Sequence, residues 1–259
     1  MIHGSYAFAG AATGFVIGLT GAGGGALMTP ILLLAFGVAP TTAVATDLWF
    51  AAVTKMIGAR VHHAGGNVDW QVVRRLWWGS LPAAIAVVAI VGAGIAIAKV
   101  HWLTQAIGGV VLVTAAGMLA SPHLLAAARN RRIGNPARFK AAQPGLTVAS
   151  GAALGLAVAL TSIGAGALGS VLLLYLYPLR MTPHRLVATD LVHAIPLAVV
   201  AGIGYLFAGL VDWSMLFSLL LGSVPAVLAG SALARRVSGN WMRVALALTL
   251  AATGIGVLS

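Results

Sequence analysis

Four aspartates are the only acidic residues in this chain of 259. They fall into two pairs with one spacing: Asp47 with Asp190, and Asp69 with Asp212, each 143 positions apart. An ionisable side chain within an apolar segment is costly, so one found there usually has a task, such as carrying a proton or pairing with an ion. His193 lies three residues after Asp190 and shares its helix face, which makes Asp190–His193 a candidate proton relay, with a hydrogen-bonded structural histidine as the alternative. Phe50 stands at the equivalent place in the first half, so such a relay would be one-sided. Lys55 falls mid-helix, where it would attract an anion or pair with Asp47 or Asp190, unless it snorkels to the interface. Its counterpart is Ala198.

Two glycine-rich stretches complete the set. Thr20-Gly21-Ala22-Gly23-Gly24-Gly25-Ala26 is echoed by Thr161-Ser162-Ile163-Gly164-Ala165-Gly166-Ala167 at an offset of 141. Each sits between two short apolar segments. A helix that starts after a glycine break presents unsatisfied amides and the positive end of its dipole, which together can hold an oxyanion. The candidate anion-binding residues are therefore Thr20, Gly21, Gly23, Gly24, Gly25, Lys55, Thr161, Ser162, Gly164 and Gly166, with Asp47, Asp190 and His193 as proton-coupling candidates. The plainer reading of the glycines is close helix crossing. For Asp47 and Asp190 it is electrostatic support or capping of a helix N-terminus.

The elements that would position these groups are membrane helices. The chain is 60% hydrophobic and 7% charged, with mean hydropathy +1.01, against about 25% charged residues in a soluble domain. Apolar runs predict full crossings near 42–63, 76–98, 102–120, 186–207, 213–234 and 241–258. Each half opens with a hairpin of shorter pieces, 5–20 with 24–37 and 145–161 with 165–178, too short for a core of about 30 Å and hence expected to re-enter or cross partly. Ala45-Thr46-Asp47 recurs as Ala188-Thr189-Asp190, Val68-Asp69-Trp70 as Val211-Asp212-Trp213, and Gly79-Ser80-Leu81-Pro82-Ala83 as Gly222-Ser223-Val224-Pro225-Ala226. The expected organisation is a first repeat at 1–120, a basic cytoplasmic linker at 121–143 and a second repeat at 144–259.

The net charge of +11 is scattered at the ends of apolar runs and follows the positive-inside pattern, which argues against a nucleic-acid partner. With the linker anchored in the cytoplasm, twelve of the fifteen Lys and Arg residues fall on that side; Lys99 is the clear exception. The loop before Trp70 is then internal and that before Trp213 external, so the repeats are inverted. The fold expected is an all-α polytopic membrane protein of two inverted repeats, each a broken or re-entrant hairpin plus three transmembrane helices. Asp69 and Asp212 read as N-caps beside interfacial tryptophans. Pro82 and Pro225 read as kinks. The N-terminus lacks a basic region, so no cleaved signal peptide is expected. His62-His63 reads as interfacial. No metal, cofactor or enzymatic cluster is expected, and no Walker motif is present.

The glycine-rich first segment, the run Ala45-Thr46-Asp47-Leu48 with Thr54-Lys55, His63 and Gly66-Asn67-Val68-Asp69-Trp70, and the second half from Gly155 to Ala234 resemble the TauE/SafE family of sulfite-exporter-like permeases. The resemblance covers nearly the whole chain. It implies transport of sulfite, sulfonates or related small anions across a bacterial inner membrane, in a direction it does not fix. A homo-oligomer is compatible with this reading. A channel-like permease, or a membrane subunit without transport of its own, stands as the alternative.

Overall fold

The computed structural model describes residues 3–20, 26–62, 67–92, 100–134, 136–233 and 239–259. These form ten helices and no strand: α1 (Gly4–Thr20), α2 (Met28–Phe36), α3 (Pro40–His62), α4 (Trp70–Gly92), α5 (Val100–Gly134), α6 (Pro136–Thr161), α7 (Ala167–Leu176), α8 (Pro183–Phe207), α9 (Trp213–Leu233) and α10 (Gly239–Leu258). The chain is an all-α polytopic membrane protein. Five helices, α4, α5, α6, α8 and α9, are long and apolar enough to cross a bilayer. The 23-residue α3 is long enough as well, but Asp47, Lys55 and Arg60 dilute its hydropathy.

Two expectations on element length change. The basic segment at 121–143 is largely helical, continuing α5 to Gly134 and starting α6 at Pro136. Its Ala- and Arg-rich sequence has high helix propensity, and polarity alone does not break a helix. The apolar part of α6 therefore runs over 22 residues, Lys140–Thr161, longer than the 145–161 piece read from the sequence. The second limbs of the hairpins remain short: α2 has 9 residues and α7 has 10, hence about 14–15 Å each, half of a bilayer core. Gly37, at φ +61, closes α2, its N–H bonding back to the helix.

The two halves interlock by mutual exchange. α1 packs along α9, and α4 along α6. Small residues let the backbones meet: a Cβ on Gly10 would strike the Leu219 carbonyl, and a Cβ on the equivalent Gly151 would strike that of Leu76. Such approach is how membrane helices gain van der Waals contact where lipid removes the hydrophobic drive. At the centre α3 lies against α8. Trp49 Nε1 donates to Gly202 O at 3.1 Å. The amide of Asp212, just after α8, donates to Thr46 Oγ1 at 3.1 Å, and the amide of Asp69, just after α3, donates to Thr189 Oγ1 at 3.0 Å. The start of each helix thus meets the end of the other, and α3 and α8 run antiparallel. The repeated Ala-Thr-Asp and Val-Asp-Trp motifs are the two sides of one reciprocal bond, made twice.

Candidate functional site

The second glycine-rich stretch is a sharp turn enclosed in protein. Residues Thr161 through Ala167 are all buried. Ser162 takes φ 60, Gly164 φ 125 and Gly166 φ 126. The glycines suit this backbone because a Cβ is disfavoured there, whereas Ser162 holds it as an L-residue. Thr161 locks the exit from α6: its hydroxyl donates to Ala157 O at 2.6 Å and accepts the Ile163 amide at 3.2 Å. In α1, Thr20 likewise donates to Val16 O at 2.8 Å. Both threonine hydroxyls therefore serve their own helix ends in this conformation. The amide of Gly169 reaches the Gly164 carbonyl at 2.9 Å, and α7 starts at Ala167 with first amides that have no intrahelical acceptor.

Three charged side chains from α3 and α8 converge on this turn. Lys55 is 5% exposed and its ammonium donates to Ala165 O at 2.8 Å. Asp190 and Asp47 both lie within the reach of its charge, but the ion pairs among the described residues join neither aspartate to it. Asp47 is fully buried; Thr29 Oγ1 donates to its Oδ2 at 2.5 Å, and Ser162 of the turn lies beside it. Asp190 is fully buried too, packed against the first turn of α7 so closely that a Cβ on Gly169 would come within 2.5 Å of Oδ1. The Gly166 amide is aimed at Asp190, yet among the described residues neither carboxylate oxygen completes a well-formed hydrogen bond. A buried carboxylate with no full donor is destabilised relative to one with donors. Here the helix dipole and Lys55 supply the compensating field.

His193 follows one turn along α8, also fully buried. Its Nε2 meets Ser80 Oγ of α4 at 3.0 Å, and its carbonyl accepts Trp77 Nε1 at 3.2 Å, while Nδ1 has no partner among the described residues. These contacts bind α8 to α4. Of the sequence candidates, Lys55, Asp47, Asp190, Ser162, Gly164 and Gly166 are brought together, with His193 a helical turn away. Gly21, Gly23, Gly24 and Gly25 lie outside the described residues.

Sequence reading missed Thr29, Ser80 and Gly169. Ser80 carried a signal, because it sits within the repeated Gly-Ser-Leu-Pro-Ala. Thr29 carried none, since nothing in a lone threonine points to an aspartate eighteen residues on.

Asp69 and Asp212 sit at helix starts as caps, accepting the amides of Val72 at 3.4 Å and Met215 at 2.9 Å. Among the described residues Asp69, and not Asp212, also meets arginine: Arg180 contacts it through Nε at 2.5 Å and Nη2 at 2.7 Å, and Arg185 approaches to 3.8 Å.

The family described as "Sulfite exporter TauE/SafE" matches residues 6–257. The chain is 34% identical over 248 residues to the probable membrane transporter protein YjnA of Bacillus subtilis (strain 168), covering 95% of both chains. It is 27% identical over 252 residues to the probable membrane transporter protein YdhB of the same organism, covering 95% of this chain and 96% of that protein. No solved structure matches the chain. With the family match spanning nearly the full length, the chain belongs to the sulfite exporter TauE/SafE family.

Proposed function

We propose that this protein is a secondary transporter that carries a small sulfur oxyanion, sulfite or a sulfonate, together with a proton across a bacterial inner membrane. The observation that carries the reading is the placement of Asp190, a buried carboxylate without a completed hydrogen bond among the described residues, against the N-terminus of α7 and within the field of Lys55. In the substrate-free state that carboxylate is the anion at the helix end. Protonation removes its charge and leaves the turn amides and the Lys55 ammonium to a substrate with several acceptor oxygens. The Lys55–Ala165 bond then opens as the ammonium turns to the substrate. Asp47, with Thr29 as its donor, is the second buried carboxylate in the field of Lys55. His193 positions α8 against α4.

The two halves act as inverted repeats, which the antiparallel run of α3 and α8 and the paired Thr46–Asp212 and Thr189–Asp69 bonds support. One repeat rocks against the other to expose the site alternately. The family match and the relatives named as probable membrane transporters support the transport class; the burial of the turn favours an occluding carrier over an open channel.

The test is flux into liposomes loaded with the purified protein. Sulfite uptake should accelerate when the external side is acidified and should collapse when a protonophore removes the pH gradient. Absence of flux for sulfite and for simple sulfonates would overturn the reading.

A further inference from the structure

The outer face of the molecule carries two grooves at equivalent positions, one in each half. The first, of about 330 Å³, is lined by Arg74, Trp77, Trp78, Leu81 and Pro82 of α4. The second, of about 710 Å³, is lined by Phe217, Leu220, Leu221, Val224 and Pro225 of α9. Every residue of one list is 143 positions from its counterpart in the other, so both grooves arise from the same local cause. A proline inside a helix removes one backbone donor, and its ring pushes against the preceding turn, which bends the helix and opens its outer surface.

The two grooves differ in chemistry. The second is wholly apolar. The first has a guanidinium at one end and apolar side chains at the other. Arg74 is exposed; its Nε donates to the Trp70 carbonyl at 3.4 Å, and its two terminal nitrogens have no protein partner among the described residues. Trp70 and Trp78 are 50% and 77% exposed, as indoles are where a membrane helix passes the headgroup layer. From Arg74 to Pro82 is eight residues, about 12 Å along the helix, the distance from headgroup level into the acyl region.

We propose that the α4 groove binds one phospholipid, with its phosphate on the free edge of the Arg74 guanidinium, its glycerol region against Trp77 and Trp78, and an acyl chain laid over Leu81 and Pro82. The charge asymmetry selects the occupant. A planar guanidinium matches two phosphate oxygens at once, and the apolar floor matches a hydrocarbon chain. The α9 groove accepts acyl chains but reads no headgroup. The site is independent of whether an oxyanion is carried.

The test is native mass spectrometry of the full chain in detergent, titrated with dioleoylphosphatidylglycerol and, separately, with dioleoylglycerol, which has the same chains and no phosphate. The wild type should retain one phosphatidylglycerol at least tenfold better than dioleoylglycerol. Arg74→Ala should lower retention about tenfold, while Arg60→Ala, which removes an exposed charge elsewhere, should leave it unchanged. Phe217→Arg should add a second retained phosphatidylglycerol. Equal retention of the two lipids, unchanged retention in Arg74→Ala, or a wild-type dimer that Trp78→Ala dissociates would each overturn the proposal. Monomer mass and helical circular dichroism of each variant establish that it has folded.

Discussion

Asp47 and Asp190 occupy equivalent places in the two halves, but Asp47 takes a hydrogen bond from Thr29, whereas Asp190 completes none with Ser170, the residue at the place of Thr29. Lys55 stands where the second half has Ala198, and His193 where the first half has Phe50. Around these differences the backbone contacts are duplicated: Thr46 with Asp212 and Thr189 with Asp69, Gly10 with Leu219 and Gly151 with Leu76. The matching contacts hold the halves to each other, while among the described residues one cation and one donor-poor carboxylate meet at the second glycine-rich turn. The scaffold needs symmetry to interlock. A carrier of one anion needs only one charged site, and a second buried lysine would add a desolvation cost without a second substrate.

The largest expected effect comes from erasing the charge difference. Lys55→Ala should weaken apparent sulfite affinity about a hundredfold, roughly 2.7 kcal/mol, read from the concentration dependence of liposome uptake; an unchanged value would remove the lysine from the site. Next is the contact between α7 and Asp190. Gly169→Val places a branched side chain where Oδ1 now lies and should reduce uptake about tenfold or more, by the cost of overpacking a close contact, while the protein still inserts and elutes as a folded species. Full activity in that variant would show that Asp190 does not sit against the helix end during transport.

Two smaller effects probe the scaffold. Asp69 carries two arginines where Asp212 has none among the described residues, so Asp69→Ala should lower stability in detergent by about 2–3 kcal/mol and Asp212→Ala by about 1 kcal/mol, the worth of a cap alone. Equal losses in thermal unfolding would mean that the Arg180 contact contributes nothing. The smallest effect should be the most symmetric. Thr46→Val and Thr189→Val each delete one reciprocal acceptor and should each cost about 1 kcal/mol, indistinguishable from one another.

Much of this was legible from spacing. The offsets of 141 and 143 pointed to the Asp pairs and to the glycine turn at Thr161–Ala167, because a repeated membrane scaffold repeats its small residues and caps. Composition identified the bilayer as solvent, and periodic apolar length located most helices. Contact between the halves was not legible. Nothing in Ala45-Thr46-Asp47 says that its threonine accepts the amide of Asp212, since that bond depends on antiparallel placement of α3 and α8. The Thr29–Asp47 bond was hidden for the same reason. The helical continuation through the basic segment at 121–143 was not legible from its polarity, since its alanines and arginines favour helix whatever the solvent around them.

The most direct measurement compares Asp190→Asn with Asp47→Asn in liposomes holding a pH gradient. If Asp190 is the carboxylate that trades its place with the substrate on protonation, Asp190→Asn imitates its neutral form. That variant should still exchange internal for external sulfite, but should no longer accumulate it against a gradient at any pH, whereas Asp47→Asn should keep proton-driven accumulation at reduced affinity. Uphill accumulation by Asp190→Asn with the wild-type dependence on pH would contradict the account.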